Sequence, residues 1–215
     1  MVQVMGYNQR MLSRFKKKIL GNEEPKADYV LVGLGNPKEK YEKTAHNAGF
    51  RVIEHLKKEA GLPSLLREKH LDCLVSKSSI EGRKVILALP LTFMNLSGGP
   101  TKRVVKHFAI PSERLVVVHD DIDLPVGTIR FSFSRSSGGH KGVQSIIKAL
   151  GTKEFLRCRV GINTGNQGPA KKVVLKEVPQ DMHDAEKRTA KELKKAISES
   201  NFEPRTIKTK ENKDR

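Results

Sequence analysis

One imidazole, one carboxylate and several side-chain amides suffice for hydrolysis without a metal. This sequence places such groups just beyond three apolar runs. Asn36, Tyr41, His46 and Asn47 follow the run 29–34, Asn95 follows 83–89, and Asp120 follows 114–119. An imidazole can take a proton from water, and a carboxylate can fix its tautomer and stabilise the imidazolium that forms. Amide N–H groups can stabilise charge that develops on a carbonyl oxygen. In an α/β sheet, the carboxyl ends of strands meet at one crevice, so three such ends can pool their side chains.

Competing chemistries fit less well. Gly33-Leu34-Gly35 follows an apolar run, as a nucleotide loop would. A dinucleotide fingerprint needs a third glycine, and Lys38 stands there. Ser97 lacks the Gly-x-Ser-x-Gly elbow of a nucleophilic serine. Asp120, Asp121 and Asp123 could hold Mg²⁺ or form an acid-rich turn after a strand. No other ligand group accompanies them, so the turn is expected, with no metal and no cofactor. A surface histidine is the plain alternative for His46.

The elements that must carry these groups alternate. Residues 28–34 read as a strand broken by Gly35 and Pro37, and Phe50, Ile53 and Leu56 recur at helical spacing up to Gly61. Runs 71–77 and 83–89 flank Gly82 and predict a hairpin. A helix is expected from Pro100 to Phe108, and a buried strand over 114–119 with the acids in a turn behind it. Residues 128–133 alternate as a strand. A loop at 136–142 opens a helix over 143–150, closed by Gly151. A strand follows at 155–162, with an edge strand or connection at 171–178. Residues 183–199 form a charged helix with a thin apolar stripe: Ala185, Ala190, Leu193, Ala196 and Ile197. This is a single-domain, three-layer α/β/α sandwich with a mixed central sheet, spanning residues 28–199.

Composition points to a polyanionic partner, nucleic acid or an acidic membrane surface, with a merely solvated basic surface as the plain alternative. The 215 residues carry a net charge of +17, with 37% hydrophobic, 30% charged and 5% aromatic residues. The pI is near 9.9. Few aromatics argue against base stacking and favour grip on a phosphate backbone. A generic esterase or amidase with a small neutral substrate would not need such charge. Cys73 and Cys158 are far apart and expected as small core residues in strands. No apolar run approaches the ~18 residues of a membrane span. Residues 1–27 form a basic amphipathic extension with two open readings, a mitochondrial targeting segment or a supplement to RNA binding. Residues 200–215 are polar, basic and expected to be disordered.

Three blocks, in order, resemble a known family. They are Gly33-Leu34-Gly35-Asn36-Pro37 with Tyr41 and Thr44-Ala45-His46-Asn47-Ala48-Gly49-Phe50; Thr92-Phe93-Met94-Asn95-Leu96-Ser97-Gly98; and His119 to Pro125 leading to Gly138-Gly139-His140. Over residues 28–180 the chain resembles bacterial-type peptidyl-tRNA hydrolases. The resemblance implies that His46 is the catalytic base, oriented by Asp120, and that Asn95 holds the peptide and polarises the scissile ester. It places Asn36 in the same pocket, Tyr41, Phe93 and Met94 along the crevice, and His140 with Lys141 beside the peptide channel. Arg130, Arg135, Lys102 and Lys106 are expected to hold acceptor-arm phosphates of tRNA. A monomer with no membrane partner is expected, in the cytoplasm, or in mitochondria if residues 1–27 are a targeting peptide. Two positions depart from the family pattern: Ala45 stands where arginine is usual, and Lys141 where asparagine is usual. The second bears on catalytic efficiency, and leaves an alternative in which the chain is an RNA-binding relative that kept the fold and lost turnover.

Overall fold

The computed structural model describes residues 26–165, 174–175, 180–199, 202 and 206–207. Its strands are β1 (Tyr29–Gly33), β2 (Leu66–Glu68), β3 (Cys73–Ile80), β4 (Arg83–Pro90), β5 (Leu115–Pro125), β6 (Ile129–Phe133), β7 (Leu156–Asn163) and β8 (Thr206–Ile207). The helices are α1 (Ala48–Glu59), α2 (Gly98–His107), α3 (Lys141–Leu150) and α4 (Gln180–Ser198). The strands form one sheet in the order β2-β3-β4-β1-β5-β7-β6-β8. The centre, β4-β1-β5-β7, is parallel, and both flanks are antiparallel. The mixed α/β sandwich expected from the sequence is therefore the fold.

Central strands are apolar on both faces because helices cover both faces. Along β5, Val116 and Val118 face one core while Leu115 and Val117 face the other. The first core carries Val52, Ile53 and Leu56 of α1 with Leu193, Ala196 and Ile197 of α4. The second carries Val104 and Val105 of α2 with Val143 and Ile146 of α3. All five residues of the apolar stripe expected on α4 are buried. Cys158 and Cys73 lie in β7 and β3, buried in opposite cores, so they form no disulfide with each other.

Close backbone approach seats α1. A Cβ on Gly49 would stand 2.3 Å from the Val118 carbonyl oxygen and 2.4 Å from the Leu34 nitrogen. Only glycine lets the start of α1 sit directly on the end of β1 and on β5 at Val118, which brings the residues just before it over Asp120. The β3–β4 hairpin closes on Glu81 (φ 47°) and Gly82 (φ 78°), the left-handed pair of a type I′ turn.

Four expectations need correcting. The acids 120–123 are not in a turn: β5 continues to Pro125, pairing Asp120 with Val160 and Asp121 with Gly161. Charge compensation allows this, since Arg159 Nε binds Asp121 Oδ2 at 2.5 Å from the neighbouring strand. α3 begins at Lys141, not 143, with His140 as its N-cap. β2 was not expected. Part of the C-terminal tail is ordered: Phe202 is buried against Tyr29 and Phe131, and β8 pairs with β6. Of the segment 171–178, only Val174 and Leu175 are described, in a turn. The N-terminal extension, apart from Lys26 and Ala27, lies outside the described residues.

Candidate active site

The loop after β1 is held by reciprocal amide bonds. The Asn36 N–H donates to Asn47 Oδ1 (2.9 Å), and Asn47 Nδ2 donates back to the Asn36 carbonyl (3.0 Å). Asn36 Oδ1 accepts from the Met94 N–H (2.9 Å), tying this loop to the one after β4. Between these ties, residues 45–47 make a single 3₁₀ turn that presents His46. The His46 N–H donates to the Val174 carbonyl at 2.8 Å.

His46 Nδ1 lies 2.9 and 3.0 Å from the two carboxylate oxygens of Asp120. A carboxylate accepts, so the proton is on Nδ1, and the Nε2 lone pair is left to take a proton. His140 Nε2 lies 2.9 Å from Asp120 Oδ1. Its Nδ1 accepts from the Val143 N–H at the start of α3 (3.3 Å), so Nε2 carries the donated proton. Behind them His119 is buried, with Nδ1–H donating to the Asp120 carbonyl (2.6 Å) and its ring edge-on to His140. Burial, aided by His140, lowers the His119 pKa to about 3, so it stays neutral. Burial alone would raise the Asp120 carboxyl. The His140 and His46 imidazoles outweigh that and hold it well below the usual carboxylate range. Asp120 is thus a buried anion bracketed by two imidazole donors.

These groups floor a cavity of about 490 Å³ lined by His46, Met94, Asn95, Asp120, Asp121, Ile122, Ser137, Gly138, Gly139, His140, Lys141, Val174 and Leu175. That is room for a small organic group, apolar at Met94, Ile122, Val174 and Leu175 and polar at the histidines and Asn95. Of the residues expected here, His46, Asp120, Asn95, Met94, His140 and Lys141 line it. Asn36, Tyr41 and Phe93 do not. Asn36 holds the two loops together through its backbone and its Oδ1. The Tyr41 carbonyl takes the Thr44 hydroxyl (2.7 Å), and its ring lies near the Lys40 ammonium. Phe93 is exposed, with the Lys38 ammonium over its ring. Ser97 is fully buried and donates to the Met94 carbonyl (2.9 Å), so it is structural.

A second, small cavity of about 30 Å³ adjoins the first at Asp121, Ser137 and Gly138. His119, Arg135, Arg157 and Arg159 also line it. Arg157 is 2% exposed, with its guanidinium 4.6 Å from the centre of the Phe155 ring and Nη2 donating to the Arg135 carbonyl. Its Nε and Nη1, and Arg159 Nη1, have no hydrogen-bond partner among the described residues. Burial, with Arg135 and Arg159 nearby, lowers the Arg157 pKa to about 10. Arg130 stands opposite Arg159 across β6 and β7. Of the four cations expected to meet phosphate, Arg130 and Arg135 thus join a larger arginine group, while Lys102 and Lys106 are exposed on α2 outside both cavities. Arg157 and Arg159 were not anticipated; the visible signal was Arg-x-Arg inside an otherwise apolar strand.

A polarised imidazole over a buried carboxylate, beside an amide-bearing cavity, is the apparatus of a hydrolase that activates water. Comparison with known proteins agrees. The family model described as peptidyl-tRNA hydrolase matches residues 30–213. The chain is 44% identical over 147 residues to a peptidyl-tRNA hydrolase of Carboxydothermus hydrogenoformans, covering 68% of this chain and 78% of that one. It is 39% identical over 171 residues to that of Bacillus subtilis, covering 80% and 87%. The crystal structure of peptidyl-tRNA hydrolase from Acinetobacter baumannii superposes with a TM-score of 0.74 at 29% identity, covering 83% of this chain and 92% of that chain. The chain belongs to the peptidyl-tRNA hydrolase family.

Proposed function

We propose that this protein hydrolyses the ester between a peptide and the terminal ribose of tRNA, releasing both for reuse. The observation that carries the reading is the bond from His46 Nδ1 to the Asp120 carboxylate at the floor of the cavity. His46 Nε2 takes a proton from water as the water attacks the ester carbonyl. Asp120 fixes the tautomer and stabilises the imidazolium. Asn95 reaches the cavity as a donor toward the carbonyl oxygen and the peptide, while Lys141 stands exposed at its rim. The side chain of the last amino acid rests against Met94, Ile122, Val174 and Leu175. His46, Asp120 and His140 each offer an atom within 4.8 Å of the others, a spacing that could hold a metal. His46 Nδ1 and His140 Nε2 both have Asp120 as their partner, and the proposed reaction uses them as hydrogen-bond donors without calling on a metal.

The arginine group supports docking of the nucleic acid. Buried guanidinium N–H groups without partners are costly. A phosphate beside Arg135, Arg157 and Arg159 supplies acceptors for them, and Arg130 on the neighbouring strand adds to the basic surface. The exposed Lys102 and Lys106 extend the basic surface. Among the described residues no helix is long and apolar enough to cross a membrane. We take the protein to act as a monomer in the cytoplasm, which sedimentation and fractionation test. Turnover of an N-blocked aminoacyl-tRNA tests the activity. The second reading, an RNA-binding relative without turnover, is favoured by the ammonium of Lys141 at the cavity, and the same assay separates the two.

A further inference from the structure

Arg51 and Glu186 come from helices that meet far from each other in sequence, 135 residues apart. Glu186, on α4, is fully buried. Arg51 Nε lies 3.1 and 3.0 Å from its two oxygens, and Nη2 lies 2.8 Å from Oε1. The remaining nitrogen, Nη1, donates to two backbone carbonyls, those of Glu42 and Thr44, the latter at 2.8 Å. Thr44 immediately precedes the turn that presents His46. Ala45, where the family pattern has arginine, brings no cation to this loop; Arg51 does.

We propose that Arg51, locked by Glu186, is a positioning residue that fixes the His46 turn from its N-terminal side. Asn36 and Asn47 fix the same turn from its other side. A guanidinium held bidentately by a buried carboxylate has little freedom left. The two carbonyls it binds are therefore set in direction, and with them the backbone that aims the imidazole at Asp120. Stability alone does not account for the pair, because replacing a buried ion pair with apolar groups of similar size is often neutral. Small displacements of a catalytic group, in contrast, are expensive in rate.

This inference rests on His46 being the base, so its test needs a readout apart from turnover. The ¹⁵N shifts of the His46 ring supply one, since they report whether Nδ1 alone carries the proton. The variant Arg51→Met/Glu186→Met removes the pair while filling its volume. It is expected to keep a cooperative thermal transition and unchanged KM, to lose on the order of 10-fold or more in kcat, and to show mixed His46 tautomers. Arg51→Lys, which keeps the charge but not the fork, is expected to show the same changes to a smaller extent, and decides the matter if the double variant does not fold. A single Nδ1–H tautomer in the folded variant would overturn the clamp, whatever the turnover. A mixed tautomer in a chain whose wild type has no turnover would uphold the clamp and overturn the base.

Discussion

His140 Nε2 lies 2.9 Å from Asp120 Oδ1, on the carboxylate that also holds His46. Asp120 is therefore shared, and His140 is more than a wall of the peptide channel. In the proposed mechanism it keeps the carboxylate ionised and aimed while His46 takes and releases the proton of water. Asp120→Asn is expected to reduce kcat by on the order of 10²- to 10⁴-fold, because an amide can hold the wrong tautomer. His140→Gln, which retains a donor but at a different reach, is expected to cost roughly 10-fold through displacement of this orienting contact. Steady-state kinetics at fixed pH check both; equal losses would place the two residues in the same role.

The same cluster makes the fold acid-sensitive. The Asp120 carboxyl is depressed in the native state, so its contribution is present above the unfolded value of about 3.9 and lost as pH falls below it. His119 is lowered from 6.5 to about 3. The unfolded chain binds that proton first, so stability falls as pH drops from 6.5 toward 3. Denaturant midpoints between pH 7 and pH 4 are expected to decline in the wild type and to decline less in His119→Gln. Parallel slopes would show that His119 does not stay neutral in the folded protein.

Phosphate contacts make affinity salt-dependent, with a log–log slope of roughly −0.7 to −0.9 per contact. Binding of the His46→Ala protein to tRNA is expected to weaken steeply between low and moderate salt. Arg135→Ala is expected to reduce the slope by about one contact. Arg135 is exposed, so the fold is spared. An unchanged slope would remove Arg135 from the interface.

Lys141 is exposed at the first position of α3, where the main cavity meets a groove lined by Gln144 and Lys148. Its long stem lets the ammonium reach solvent or a phosphate rather than press on His46. Lys141→Asn is expected to leave kcat within about 2-fold and to weaken tRNA binding modestly, an effect that vanishes at high salt. A large gain in kcat would mean that the lysine points inward and opposes the imidazolium.

The strand, loop and helix around His46 were legible because apolar periodicity and glycine placement are local signals. So was the β3–β4 hairpin, through Gly82. The course of β5 was not. Three aspartates in four residues read as a turn, since acids are depleted in strands. What holds Asp121 in the sheet is Arg159, which is 38 residues away and invisible to any local pattern. The Arg51–Glu186 pair escaped for the same reason: Glu186 looked like one more surface acid on a charged helix. Asn36 was recognised as important, and only the fold shows the further part its Oδ1 plays in tying its loop to Met94.

Turnover of an N-blocked aminoacyl-tRNA by wild type and His46→Ala, with tRNA binding measured in parallel, tests the central claim most directly. His46 is partly exposed on a turn held by backbone bonds and by its neighbours, so the alanine variant should fold. The account predicts hydrolysis by the wild type, unaffected by a chelator, and a loss on the order of 10²-fold or more in the variant with tRNA affinity retained. Wild-type turnover in His46→Ala would contradict the assignment of the base, and no turnover in either protein would leave a tRNA-binding protein without catalysis.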